Sequence, residues 1–168
     1  MPSSSKEFAI ASSFEYTVFV LISDLPDSHF EDWRSFYWKE IFVVLITEDP
    51  IDPGRFYDLI AKSTSGSVLF HYAVVKEQEG IGGLTCHIEY SPNGNVVEEL
   101  SLISKEMGES WEIEDSLLIR RIGRVGIGEI ISLVAVSSPS SEDAFAACRF
   151  GIGRLKQMGA IVKKEVCG

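Results

Sequence analysis

Cysteine is scarce in this chain and wrongly spaced for the chemistry it usually carries. Cys86, Cys148 and Cys167 form no Cys-x-x-Cys pair, and an odd, widely separated set supports neither a disulfide framework nor a zinc site. A reducing, cytoplasmic setting is expected. Positive charge is also in short supply, with 15 Lys and Arg against 25 Asp and Glu and a formal net charge of -10. A field of that sign repels phosphate backbones, so nucleic acid is not an expected partner. Long apolar runs are missing too. The stretch from Tyr16 to Ile22 lies between Glu15 and Asp24 and falls far short of the ~20 residues that cross a bilayer. No basic start followed by an apolar stretch and a small-residue cleavage site marks a leader, and no membrane partner is expected. What is present is ordinary: 168 residues, 45% hydrophobic and 24% charged, have the size and composition of one globular domain.

Residues 1–38 read as an N-terminal extension without a clear pattern. A polar start, Met1 to Lys6, precedes a segment rich in aromatics, among them Phe30, Trp33, Phe36, Tyr37 and Trp38. Asp24 to Asp27 reads as a turn, and Ser28 is placed to cap a short helix through Trp38. From Ile41 the signals sharpen. Ile41 to Ile46 is a β-branched and aromatic run that predicts a buried strand. Asp52-Pro53 opens a short helix with Phe56, Leu59 and Ile60 at helical spacing. Ser67 to Val75 and Leu84 to Tyr90 predict two strands, joined by a glycine-rich loop as a hairpin. Val96, Val97, Leu100, Ile103, Met107 and Trp111 share one helical face. Strands are predicted from Asp115 to Ile122 and from Ile130 to Ser137, with a turn between them. Ser140 then caps a third helix that Gly159 ends, and Ala160 to Val166 forms a short apolar and basic tail. The order predicts an α+β domain over residues 39–168, its helices packed on a mostly antiparallel sheet.

The chemistry-bearing residues collect near the end. Arg149, Ile152 and Lys156 share a stripe with Phe145 on the third helix, the two cations roughly 10 Å apart along the axis. Lys163 follows Lys156 by seven residues and is followed in turn by Lys164; with Arg154, these make the last 20 residues the most basic part of an acidic chain. Such a stretch either cradles an anion or forms a solvated face that complements a helix dipole, and spacing alone leaves both open. His71 and His87 fall on predicted strands with no third ligand at metal spacing, so no metal is expected. Gly123, Gly126 and Gly128 lack the strand-to-helix setting of a phosphate loop. No Ser, Cys or Asp has the neighbours of an activated nucleophile.

Several ordered motifs resemble one family. Arg121-Ile122-Gly123 with Gly128-Glu129, Val134-Ala135-Val136-Ser137-Ser138-Pro139, Ala144-Phe145 with Ala147-Cys148, Leu155-Lys156, and Lys163-Lys164-Glu165 are similar to the pattern of the large, catalytic subunit of molybdopterin synthase. The likeness runs over about residues 41 to 168. It implies an α/β hammerhead-like domain that forms a homodimer within a heterotetramer, bound to a small ubiquitin-like sulfur carrier. It implies sulfur transfer from the carrier's C-terminal thiocarboxylate to cyclic pyranopterin monophosphate, giving the dithiolene of molybdopterin with no cofactor. Lys156 and Lys163 match the two family lysines that line the pocket and are the implied catalytic residues. Arg149, Ile152, Lys164 and Lys76 are the implied substrate-binding residues. The chain also departs from the pattern. Lys76 lies where the family has arginine nearby, Ser140-Ser141 replaces a His-Arg pair, Val162 replaces tryptophan, and the usual tail beyond Glu165 is missing. These departures imply an alternative, a catalytically inactive homologue that serves as a scaffold for the carrier or another protein.

Overall fold

The computed structural model describes residues 8–13, 16–22, 41–60, 63–80 and 82–168. The helix expected from Ser28 to Trp38 lies outside them. Among the described residues, ten strands and three α-helices follow one another as β1 (Phe8–Ser13), β2 (Tyr16–Ile22), β3 (Ile41–Thr47), a 3-10 turn (Pro53–Arg55), α1 (Tyr57–Ile60), β4 (Ser67–Val74), β5 (Glu79–Gly80), β6 (Gly83–Pro92), α2 (Val96–Ser110), β7 (Asp115–Arg121), β8 (Gly123–Gly126), β9 (Ile130–Ser138), α3 (Ser141–Lys156) and β10 (Ile161–Cys167). The main sheet has six strands in the order β1-β2-β3-β7-β9-β4. In a second sheet, β6 pairs with β10, β5 and β8. Only the β2–β3 and β3–β7 pairings are parallel. The others are antiparallel, so the α+β class with a mostly antiparallel sheet holds.

Strand alternation sorts the main sheet into two faces. Phe42 and Val44 of β3, Leu118 of β7, and Val134 and Val136 of β9 face α2 and α3 and form one core with Leu100, Ile103, Met107, Ala144, Ala147 and Leu155. Val43, Leu45, Leu117, Ile119, Leu133 and Ala135 face the other way, onto Ile51, Phe56 and Ile60. Both long helices start on side-chain caps, the Asn95 carboxamide accepting from the Glu98 N–H at 3.1 Å and the Ser140 hydroxyl from the Asp143 N–H at 3.4 Å. Helix α2 lies so close to β3 that a methyl on Gly108 would sit 2.6 Å from the Phe42 ring. A Gly108→Val substitution should therefore destabilise the fold by about 1–3 kcal/mol through overpacking. That exceeds the gain of less than about 1 kcal/mol from better helix propensity. A rise in the urea midpoint would contradict this packing argument.

The structure corrects three sequence expectations. Strand β4 does not form a hairpin with β6; it pairs with β9, Leu69 opposite Val136 and His71 opposite Val134. The exit of β4 is tied elsewhere, since the Val75 N–H donates to the Glu129 carbonyl and the Gly128 N–H to the Val75 carbonyl. The glycine-rich loop makes its hairpin between β5 and β6 instead, turning at Gly83 with φ of 111°. The link between β7 and β9 is not a simple turn, because its first residues form β8 and pair with β6. The basic tail is strand β10, with Lys163 opposite Tyr90 and Lys164 opposite Glu89. Val75, Ile88, Tyr90 and Val125 form a third core that joins the two sheets.

Candidate active site

Lys156 is the last residue of α3, and Lys163 lies two residues past the start of β10. Residues opposite each other in an antiparallel pair share a face, so Lys163 shares the face of Tyr90. The Tyr90 ring lies under the Arg120 guanidinium, 4.5 Å from its centroid. Arg120 is opposite Ser132 of β9, and Ser132 is opposite Ala73 of β4, so all three lie on the helix-bearing face of the main sheet. His71 lies two residues before Ala73 on that same face. Burial holds the His71 imidazole below its ordinary pKa, and the Lys156 ammonium lowers it further. His71 and Arg120 thus share the helix-bearing face of the main sheet, with the Lys156 charge of α3 felt at His71 and the Tyr90 ring of the second sheet under Arg120; Lys163 shares the face of Tyr90 in that second sheet, and both lysines are exposed.

The protonation states follow from these surroundings. With a folded pKa below the ordinary 6.5, His71 is neutral in neutral solution. Folding disfavours its proton, so this residue takes stability away only as the pH falls below about 6.5. Tyr90 is held in its phenol form mainly by burial, with Arg120 opposing that shift and Glu165 adding to it. The Arg120 guanidinium is itself disfavoured by burial and supported by Tyr90. Cys148 plays no part in this chemistry, because burial pushes its thiol up to about 11 and leaves it protonated. Among the described residues, no group of His, Cys, Asp and Glu is arranged to hold a metal ion.

The other residues singled out from sequence are dispersed. Lys164 takes the opposite face of β10 and lies 3.8 Å from Glu89, which also lies 3.5 Å from His87. Ile152 packs against the main core. Arg149 and Lys76 are exposed. Arg154 is taken up by an ion pair with Glu106 and by the Phe150 ring, so it is not free to meet a ligand. The sequence reading missed Arg120, Tyr90 and His71 as a group. One signal was available: two adjacent arginines in the otherwise apolar run from Leu117 to Ile122 must point to opposite faces of a buried strand.

The second of those arginines has a structural duty. Arg121 donates to the Glu129 carboxylate at 3.0 Å and to the carbonyls of Glu48 and Arg124. Glu129 also accepts from the Gly126 N–H at 2.7 Å. That backbone bond, aided by Arg121, holds the Glu129 carboxyl below its ordinary pKa. The Arg-Ile-Gly and Gly-Glu motifs therefore clamp the excursion of β8 between β7 and β9. A Glu129→Gln change should cost about 1–3 kcal/mol at neutral pH, because it strips a charged acceptor from the buried Arg121. Since the native carboxyl titrates low, wild-type stability should approach that of the variant as acid protonates Glu129. Denaturant titrations at several pH values check this; a gap that stays constant down to acidic pH would contradict it.

Residues 46–158 match the family model described as "MoaE protein". The chain belongs to the MoaE protein family. A molybdopterin synthase catalytic subunit from Staphylococcus epidermidis is 34% identical over 123 residues, 72% of this chain and 81% of that protein. The X-ray structure of molybdopterin synthase from Staphylococcus aureus superposes with a TM-score of 0.67 at 29% identity, covering 73% of this chain and 90% of that one. A structure described as a protein–protein complex of subunits 1 and 2 of molybdopterin-converting factor from Helicobacter pylori shares the fold, with a TM-score of 0.58 at 11% identity and coverage of 74% and 84%. The stretch matched by the MoaE family model takes in His71, Tyr90, Arg120 and Lys156 and stops before β10 and Lys163.

Proposed function

We propose that this MoaE-family chain works in molybdenum cofactor biosynthesis as a catalytic subunit of molybdopterin synthase. Its reaction would be transfer of sulfur from the thiocarboxylate of a small ubiquitin-like carrier to cyclic pyranopterin monophosphate. The observation that supports this reading is a set of basic groups: Lys156 whose charge is felt at His71, Arg120 over the Tyr90 ring, and Lys163 on the face of β10 that Tyr90 shares. In a chain with a net charge of -10, a local basic surface of this kind suits two anionic reactants. Ammonium groups at Lys156 and Lys163 would hold the thiocarboxylate and steady charge as its sulfur bonds to the pterin carbon and water then displaces that sulfur from the acyl carbon, leaving the carrier as a carboxylate. Neutral His71, next to Lys156, can accept a proton without first losing one.

The carrier would dock as the second subunit, and the chain would form a homodimer within that assembly in a reducing cytoplasm. Mass measurement of the purified protein with and without the carrier tests the stoichiometry. The activity test mixes purified protein, thiocarboxylated carrier and cyclic pyranopterin monophosphate, with dithiolene product as the readout. Product formation supports the catalytic reading. Carrier binding without product would support the scaffold reading instead, and binding of neither reactant would sink both.

A further inference from the structure

A guanidinium is among the most costly groups to bury without a counter-charge. Arg120 is only 8% exposed. Its neighbour Arg121 shows the usual remedy, with Glu129 and two backbone carbonyls around its nitrogens. Arg120 has no such set. Its Nε is buried without a hydrogen-bond partner, and none of the described carboxylates forms an ion pair with it. Its charge is supported by Tyr90, whose ring lies beneath the guanidinium and whose side chain also accepts a hydrogen bond from it. Attraction to a neutral ring is the smaller term beside the desolvation of a full charge.

A second, independent vacancy lies on the same face. The Nδ1 of His71 is buried and also lacks a hydrogen-bond partner. Two strand spacings, roughly 10 Å, separate β4 from β7 across β9. Lys156 adds positive charge at the His71 end and Lys163 at the Tyr90 end. The acidic group near Tyr90 is Glu165, already engaged by the Thr85 hydroxyl. The face therefore holds two buried nitrogens without hydrogen-bond partners, one of them on a guanidinium that no described carboxylate pairs with.

We propose that Arg120 is the phosphate anchor of this site, its planar fork receiving two non-bridging oxygens of the pterin substrate's phosphate. The inference rests on the function proposed above and assigns the carrier's thiocarboxylate to Lys156 and Lys163 instead. A fork of fixed N–H groups suits two oxygens of one phosphate, which a single ammonium cannot match.

The test compares the full-length wild type with Arg120→Met and Arg120→Lys. Titration calorimetry with cyclic pyranopterin monophosphate should show at least a tenfold loss of affinity in Arg120→Met. A smaller loss is expected in Arg120→Lys, and affinity for the carrier should stay within twofold in both. Without ligand, Arg120→Met should unfold at the same temperature as wild type or higher, because an uncompensated buried cation has been removed. Unchanged pterin affinity together with a lowered unfolding temperature would overturn the proposal and leave Arg120 a structural partner of Tyr90. Loss of carrier affinity alone would overturn it in favour of carboxylate recognition. If Arg120→Met does not fold, Arg120→Lys decides: weakened pterin binding supports the proposal and wild-type binding overturns it. If the wild type binds no pterin, the functional reading fails on its own. Inorganic phosphate then tests the anchor, which is supported by a thermal shift in wild type that Arg120→Met lacks and overturned by the absence of any shift.

Discussion

Replacing Lys156 with alanine is expected to reduce dithiolene formation by about 10²–10³-fold, the usual effect of removing one positioned charge from a developing anion. The loss should appear in kcat with the fold intact, because Lys156 lies at the end of α3 beside His71 and contributes nothing to the buried cores. The geometry supplies a check that does not depend on activity. Since the Lys156 ammonium helps to keep the His71 pKa low, Lys156→Ala should raise that pKa in an NMR titration of the histidine ring. Burial, the larger cause, remains in the variant, so the value should stay below 6.5. A lost activity with an unmoved His71 titration would mean that Lys156 acts elsewhere, and the site would have to be redrawn.

Leu118→Ala is expected to carry the largest stability effect among simple core truncations, about 2–5 kcal/mol. Leu118 is fully buried on β7, the strand between β3 and β9 in the main sheet. Its core also holds Phe42, Leu100, Ile103 and Val134, from both neighbouring strands and from α2. Those side chains are anchored on three separate elements, so the space left by the missing atoms cannot close by a local shift. Against a total of about 5–15 kcal/mol for a domain of ordinary stability, such a loss leaves the fold marginal. Urea unfolding should show a lower midpoint with an unchanged slope. Arg120 lies two residues further along the same face, so ligand affinity should be retained wherever the variant is folded. A cost under 1 kcal/mol would show that the site collapses more readily than its contacts imply.

The periodic elements were open to reading because their causes are local. Helix α2 announces itself by the spacing of Val96, Leu100, Ile103 and Met107, each of which is buried, and α3 by the Ser140 cap. Strands β3 and β9 are runs rich in β-branched residues, and β7 has an apolar centre at Leu117, Leu118 and Ile119. The errors arose where pairing depends on distant partners. Residues 67–75 and 84–90 look like two arms of a hairpin, yet each finds its partner about 50 to 80 positions away, in β9 and β10. The basic tail carries no strand signature because its outer residues, Val162 to Glu165, are exposed on an edge.

The candidate site divides in the same manner. Lys156 and Lys163 stood out because positive charge, scarce in the chain, is concentrated there and the motifs are ordered, both properties of the linear chain. Arg120, His71 and Tyr90 come from three different strands, and each looks ordinary among its sequence neighbours. Composition, periodicity and motif order determined the fold class, the family and the two lysines. The placing of a buried guanidinium on the same face as an imidazole, with a phenol of the second sheet beneath it, was decided only when two sheets closed over a common core. The physical reason is that side-chain direction is set locally by strand alternation, whereas which strands lie side by side is set by hydrogen-bonded pairing and burial summed over the whole molecule.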